Sequence, residues 1–498
     1  MIEKATTWGH PKGLFYLFFA ELWERFSFYG MRALLTLYMV EVVFEALSNK
    51  DFVTAAIYSS YGSMVYAGTV IGGRISDKLL GMRKSIFLGG IFMAIGHFVL
   101  AVEHNIAFFL ALSFIIVGNA FFKPNISTFV GTLYEDNDPR KDSGFTIFYM
   151  GINLGAWVSP LLCGWLAASY GWHYGFGLAG IGMVAGLLFF YSGIKKGVFG
   201  ERGLPPEDST LDQKQFGLSK EHQVTLLSVL SVPLIALLLS AYNPIYNQDT
   251  IVNLLFKGIG VFILGYLAYI LYQVAPDERK KLLVAIMITL FMTIFWGFHE
   301  LSGSVITLFS ARNVELTFMS AAQTNSLNPM FIILLAIPLS MLWTWLSKRG
   351  LNPRTPYKFG LGLVFAGLSF YVLAISGANA NAQGLVPFGY LLVMYLLLSV
   401  GELFMSPVGL SKITSLSPKR IVAFMMGVWF LSSAFAFQVV GFIGKKLSVE
   451  SGSAAADPLQ SLTLYTDGFH LIAQYSLISG LVVLLASPLI KRLMGEVH

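Results

Sequence analysis

Residues 14–40 read L-F-Y-L-F-F-A-E-L-W-E-R-F-S-F-Y-G-M-R-A-L-L-T-L-Y-M-V, an apolar run interrupted by Glu21, Glu24, Arg25 and Arg32. About 20 residues of helix cross a bilayer core, and an ionised group at its centre costs roughly 2.5–3.5 kcal/mol by insertion scales. Four such groups in one span need partners and a cavity. At about 100° per residue, Glu21, Arg25 and Arg32 share one stripe, with Glu24 about 60° to its side. The Glu21–Arg25 pair at i, i+4 offsets the burial, which is expected to leave Glu24 to bind a proton where water is excluded. The run is too long for a signal-peptide core and no clear cleavage site accompanies it, so it is expected to remain attached as span one.

Similar apolar runs fill the chain. Of 498 residues, 55% are hydrophobic and 12% charged, against about a quarter charged in soluble proteins; mean hydropathy is +0.68. Breaks at charged and Gly/Pro/Asn-rich stretches predict about fourteen spans, starting near residues 14, 53, 84, 107, 142, 174, 224, 251, 282, 318, 356, 386, 420 and 466. The net charge of +6 does not point to nucleic acid, because the basic residues occupy short loops. Arg74, Lys78, Arg83, Lys84, Arg140, Lys141, Lys195, Lys196, Lys348 and Arg349 fall on one side of this topology, and Lys50, Arg312, Lys445 and Lys446 on the other. That bias, with an even number of spans, predicts cytoplasmic termini. The single cysteine, Cys163, rules out an internal disulfide and a cysteine-rich metal site. No H-E-x-x-H, Ser/His arrangement or cysteine pair supports an intramembrane enzyme, and no cofactor or metal is expected.

The polar stretch from Lys195 to Lys220, with Pro205 and Pro206, divides six spans from eight. The expected organisation is a first six-helix bundle over 1–195, a cytoplasmic linker over 196–223, an inserted helical hairpin over 224–275 and a second six-helix bundle over 276–498. After span two, Gly73, Asp77, Gly81, Arg83 and Lys84 follow the order G-x-x-x-D-x-x-x-G-x-R-K, resembling the loop signature of the major facilitator superfamily.

Further ionisable residues interrupt later spans. Lys123 adjoins Pro124 in span four and is expected to need a carboxylate partner near carbonyls freed by the proline. Glu300 in span seven follows Trp296 by four residues, which places acid and ring on one helical face. Glu402 in span ten precedes Ser406 and Pro407, a second acid beside a break. Asn153, Asn328, Tyr66 and Trp429 are weaker polar and aromatic candidates, and His299 could equally titrate or fill a helix contact. Cations in the first half and acids in the second suit a zwitterion with separated charges.

At these residues the chain resembles the proton-dependent oligopeptide transporter family, within the major facilitator superfamily. The family's E-x-x-E-R-F-x-Y-Y-G pattern appears at Glu21–Gly30 and its F-Y-x-x-I-N-x-G pattern at Phe148–Gly155. Gly401, Glu402, Leu403, Phe404, Met405, Ser406 and Pro407, then Met425, Met426, Gly427, Val428, Trp429 and Phe430, are similar to its tenth and eleventh spans. The resemblance implies an all-α polytopic membrane protein of fourteen transmembrane helices, two six-helix bundles plus an inserted two-helix hairpin, in a bacterial inner membrane. It implies import of di- and tripeptides by alternating access, with protons as the coupling ion. Arg25, Arg32 and Lys123 would meet the peptide carboxylate; Asn153, Asn328, Glu402 and Ser406 the amine and backbone; Tyr29, Tyr66, Trp296 and Trp429 its side chains. Glu21, Glu24 and Glu300 would carry protons through pairs with Arg25, Arg32 and Lys123. Phe28 departs from the pattern, removing one hydroxyl, and span two lacks the histidine of animal members. The alternative is a carrier of another small anion such as nitrate, which would not need Glu402.

Overall fold

Inside a bilayer each backbone N–H and C=O has to be bonded within the protein, which confines long apolar runs to helices or closed barrels. In the computed structural model these runs are helices. It describes residues 9–135, 138–207, 209–215, 217–241, 250–405, 413, 415–418, 421–449 and 457–494. The helices are α1 (Lys12–Tyr38), α2 (Lys50–Ile75), α3 (Gly81–Leu100), α4 (Asn105–Thr132), α5 (Lys141–Tyr170), α6 (Trp172–Lys195), α7 (Lys220–Ser240), α8 (Ile251–Gln273), α9 (Pro276–His299), α10 (Val305–Asn313), α11 (Leu327–Lys348), α12 (Thr355–Ser376) and α13 (Phe388–Met405). Two more follow, Val422–Lys446 and Pro458–Met494.

Among the described residues, 13 helical segments are long and apolar enough to cross a membrane. One, Lys50–Leu100, is 51 residues long and contains both α2 and α3, so the segments agree with fourteen crossings. The α2–α3 boundary lies at Gly81, whose φ of +69° is the left-handed conformation that glycine adopts without Cβ strain. The expected span near 282 begins earlier, at Pro276, because the charged residues Asp277 to Lys281 form its first turns. The span expected near 318 begins its helical run only at Ala322; just before it the Ser320 N–H donates to Gln323 Oε1 at 2.7 Å.

The chain forms two compact units: the described residues of Met1–Tyr38 with Met64–Ala241, and those of Met39–Ser63 with Tyr242–His498. In the first, Leu14 and Leu17 of α1, Met93 of α3, Phe122 and Phe129 of α4 and Phe190 of α6 share a buried core. Lipid is as apolar as these side chains, so close packing holds them together more than removal from water does. Residues of the expected linker also join this unit: Phe199 stands 4.9 Å from Phe129, centroid to centroid. Arg83 donates from Nε to the Arg202 carbonyl at 2.7 Å and from Nη2 to that of Gly200 at 2.5 Å. Lys84 pairs with Glu221 at 2.5 Å. The basic end of the G-x-x-x-D-x-x-x-G-x-R-K signature thus binds the backbone of the segment that follows α6.

Pro124 gives α4 no N–H for the Ala120 carbonyl, yet the helix runs through it. Asn125 Nδ2 donates to the Phe121 carbonyl at 2.7 Å. Gly72 of α2 lies against the same turn: a Cβ there would stand 2.0 Å from Ala120 O. This fit requires glycine, and a methyl group would force α2 and α4 apart.

In the second unit, the first half of α2 packs on Val422–Lys446 and α8. Ser59 donates to Asn253 Oδ1 (3.1 Å), Ser63 to the Ala434 carbonyl (2.8 Å), and Gln438 Nε2 to both Ser63 Oγ and Asn253 Oδ1 (2.8 Å each). Arg312 forks onto Asp51 at 2.6 and 2.8 Å and reaches the Tyr465 hydroxyl at 2.9 Å. Buried polar groups satisfied in this way fix helix register, because any slip leaves them unbonded. Gly72→Ala is expected to lower stability by about 1–3 kcal/mol through overpacking. Thermal unfolding in detergent checks this against Gly258→Ala, a position where an added Cβ meets nothing within 4 Å and no loss is expected.

Candidate functional site

Span five approaches the charged turn of α1 through glycines. A Cβ at position 155 would lie 2.3 Å from the Leu22 carbonyl oxygen, and one at 151 would lie 2.8 Å from the Phe18 ring. At Gly155 the backbones of α1 and α5 therefore meet directly, at Gly151 the Phe18 ring fills the gap, and the turn carrying Glu21, Glu24 and Arg25 is buried.

There Glu24 is 0% exposed, with Glu21 and Arg25 at 3% each. Arg25 Nη2 donates to Glu24 Oε1 at 2.7 Å and Nε donates to Glu24 Oε2, a bidentate fork that matches the planar guanidinium. Nε also lies 3.1 Å from Glu21 Oε1. The i, i+4 contact expected from spacing is present, but the tighter partner is the adjacent Glu24. The carboxylate oxygen left without a hydrogen bond is Glu21 Oε2. Helical spacing positions Cβ atoms and not the end of a long arginine, whose fork turns to the carboxylate it can grip with two bonds.

Aromatic rings surround these cations. The Arg25 guanidinium carbon is 5.4 Å from the Phe28 ring centre and 6.0 Å from that of Tyr29, and Arg32 is 5.7 Å from Tyr29. Phe28 keeps the ring face that its tyrosine counterpart would offer and lacks only the hydroxyl. Among the described residues Lys123 forms no salt bridge; its ammonium stands 3.9 Å above the Tyr66 ring, whose π face attracts a desolvated cation, and Glu21 and Glu24 lie within electrostatic reach of it. Asn153 of α5 is buried, and its amide donates to the Tyr149 carbonyl in its own helix at 3.0 Å.

In the second unit, α9, α11 and α13 bring a polar group together around Glu402. His299 Nε2 lies 3.0 Å from Glu402 Oε2, and Asn328 Nδ2 lies 3.0 Å from the same oxygen and 3.0 Å from Ser399 Oγ. Glu402 is thus not the lone acid expected from sequence. An ionised carboxylate only accepts, so a neutral His299 carries its proton on Nε2. The helix of span seven tightens after His299, and Glu300–Gly303 forms a narrower turn. The ring edge-on to Trp296, at 5.0 Å, is that of His299. Trp429 is half-buried on Val422–Lys446, and the Ser432 hydroxyl donates to its carbonyl at 2.6 Å. Ser406 lies outside the described residues.

Sequence reasoning had left His299 undecided between titration and packing. The available signal was a histidine beside an acid deep in an apolar span; its partner, 103 residues away, has no signal in spacing.

Comparison with known proteins places these residues in context. The profile of the POT family matches residues 83–457. An uncharacterized transporter, YclF, of Bacillus subtilis (strain 168) is 37% identical, with 98% of this chain and 96% of that protein covered. A di-/tripeptide transporter of Lactococcus lactis subsp. lactis (strain IL1403) is 34% identical over 99% of this chain and 98% of its own. The crystal structure of a peptide transporter POT in complex with alafosfalin is similar at a TM-score of 0.83 and 34% identity, covering 99% of this chain and 98% of that one. A POT family transporter in complex with 5-aminolevulinic acid gives 0.80 at 29% identity, covering 98% and 99%.

Removing one member of a buried ion pair strands the other, at about 3–5 kcal/mol, whereas removing both charges avoids most of that cost. Arg25→Gln is therefore expected to lower thermal stability in detergent strongly, and Arg25→Gln with Glu24→Gln to regain most of the loss. Equal losses in the single and double variants would show that the fork does not hold this turn.

Proposed function

The chain belongs to the POT family, with the fold of the major facilitator superfamily, and from that premise we propose that it is a proton-coupled symporter importing di- and tripeptides by alternating access. The reading rests above all on the buried Arg25 fork: one guanidinium serves two carboxylates, and Glu21 Oε2 has no hydrogen bond among the described residues. Protonating Glu21 or Glu24 would weaken the hold on Arg25 and release its charge to a peptide carboxylate. Arg32 and Lys123, both near aromatic faces, add to that anionic end. Glu402, Asn328 and Ser406 supply acceptors and donors for the amine and backbone, with Asn153 on α5. Tyr29, Tyr66, Trp296 and Trp429 offer apolar surface to side chains, and Glu300 is assigned to proton transfer with Glu21 and Glu24. We read the chain as an inner-membrane protein with cytoplasmic termini, its hairpin over 224–275 inserted between bundles.

The driving force is sufficient. One pH unit and 100 mV together supply about 3.7 kcal/mol per proton, roughly a few hundredfold accumulation of a neutral peptide. Glu402 favours a substrate with an amine over an inorganic anion such as nitrate.

The protein reconstituted in liposomes is expected to accumulate labelled dialanine only under an inward proton gradient, with unlabelled dipeptides competing and nitrate not. Uptake indifferent to the gradient would overturn proton coupling; displacement by nitrate alone would overturn the peptide assignment. Glu402→Ala is expected to reduce gradient-driven uptake and peptide exchange alike, by about tenfold or more, as loss of a charged hydrogen bond of about 1.5–3 kcal/mol implies.

A further inference from the structure

We infer that His299 is the group at which a proton competes with the peptide's ammonium for Glu402. The inference rests on the reading of Glu402 as the amine-binding acid, and it assigns a role to a residue outside the α1 cluster.

His299 and Glu402 are each 7% exposed, so neither charge is screened well by water. The neutral imidazole donates from Nε2 to Glu402 Oε2, and Asn328 donates to the same oxygen. Two donors on one oxygen fix the plane of the carboxylate. Among the described residues its other oxygen, Oε1, carries no hydrogen bond, which leaves an acceptor for a third donor such as an ammonium. The imidazole Nδ1 is the basic atom that remains. Phe295 stacks on the ring at 6.2 Å and Trp296 stands edge-on, so the imidazole is held against Glu402.

A proton from solvent on Nδ1 converts the pair from a net charge of −1 to zero. The imidazolium then satisfies Glu402, and an arriving ammonium meets no net negative charge. Binding of the ammonium to ionised Glu402 in turn raises the cost of the imidazolium and returns that proton to solvent; no covalent bond changes. By linkage the two effects are equal in size. Among the described residues, further titratable groups are Glu300, next in the chain, and Tyr395, two turns before Glu402 on the same face of α13. Asp467 and His470 of Pro458–Met494 are exposed, and α11 contributes the neutral Asn328.

The sign follows directly. Peptide affinity is complete where His299 is neutral and falls as falling pH puts a proton on it. This opposes the α1 carboxylates, whose protonation favours loading, and gives binding an acid limit set by the second unit.

Isothermal titration of dialanine into the purified protein from pH 5 to 8, in buffers of different ionisation heat, tests it. The wild type is expected to lose affinity on the acid side, approaching tenfold per pH unit for one proton. It should also release up to one more proton on binding than His299→Gln does. The glutamine amide keeps the donation to Glu402 but cannot titrate, so its acid loss should disappear or shift to the lower pH at which Glu402 itself protonates. His299→Asn replaces it if the glutamine variant does not fold. Identical pH profiles and proton counts in wild type and variant would overturn the inference while leaving peptide binding intact; failure of the wild type to bind dialanine would overturn the peptide reading beneath it.

Discussion

The structure turns on one guanidinium in a bilayer-spanning helix. Arg25 cannot lose its proton at any ordinary pH, so its burial demands counter-charge, and Glu24 and Glu21 supply it within one turn of α1. Two carboxylates facing one cation leave an excess negative charge in a region of low dielectric. Such a site responds strongly to one proton or to a second cation nearby. Lys123, held over Tyr66, is a further cation of the same unit within electrostatic reach of both carboxylates.

The second unit treats its acid differently. Glu402 is held by two donors on one oxygen, an arrangement that aims the carboxylate. One unit therefore holds Arg25, Arg32 and Lys123 with two carboxylates, and the other holds an acid supported by an imidazole and an amide. The backbone makes these sites possible: Gly155 and Gly151 let α5 lie on α1, and Gly72 lets α2 lie against the proline turn of α4.

Much of this was legible in advance. Apolar runs divided by charged and Gly/Pro-rich breaks located the helices, because in a bilayer length and hydropathy leave few alternatives. The E-x-x-E-R-F turn marked the buried cluster, since charges in a span persist only with partners. Side-chain ends were less legible. Spacing pairs Arg25 with Glu21, and that contact is present, but the fork grips Glu24 more closely; the ring edge-on to Trp296 is that of His299. The contacts of Glu402 with His299 and Asn328, of Ser59 with Asn253 and of Arg83 with the segment after α6 join distant stretches, and no local period encodes them.

The central claim is that the carboxylates on Arg25 carry the coupling proton and are not merely its structural counter-ions. The most direct measurement compares, in one liposome preparation, gradient-driven dialanine accumulation with dialanine exchange at equal pH for Glu21→Gln and Glu24→Gln. The account expects accumulation to be lost while exchange continues, because a glutamine still bonds Arg25 but cannot release a proton. Loss of both activities together, or accumulation at the wild-type level in both variants, would contradict it.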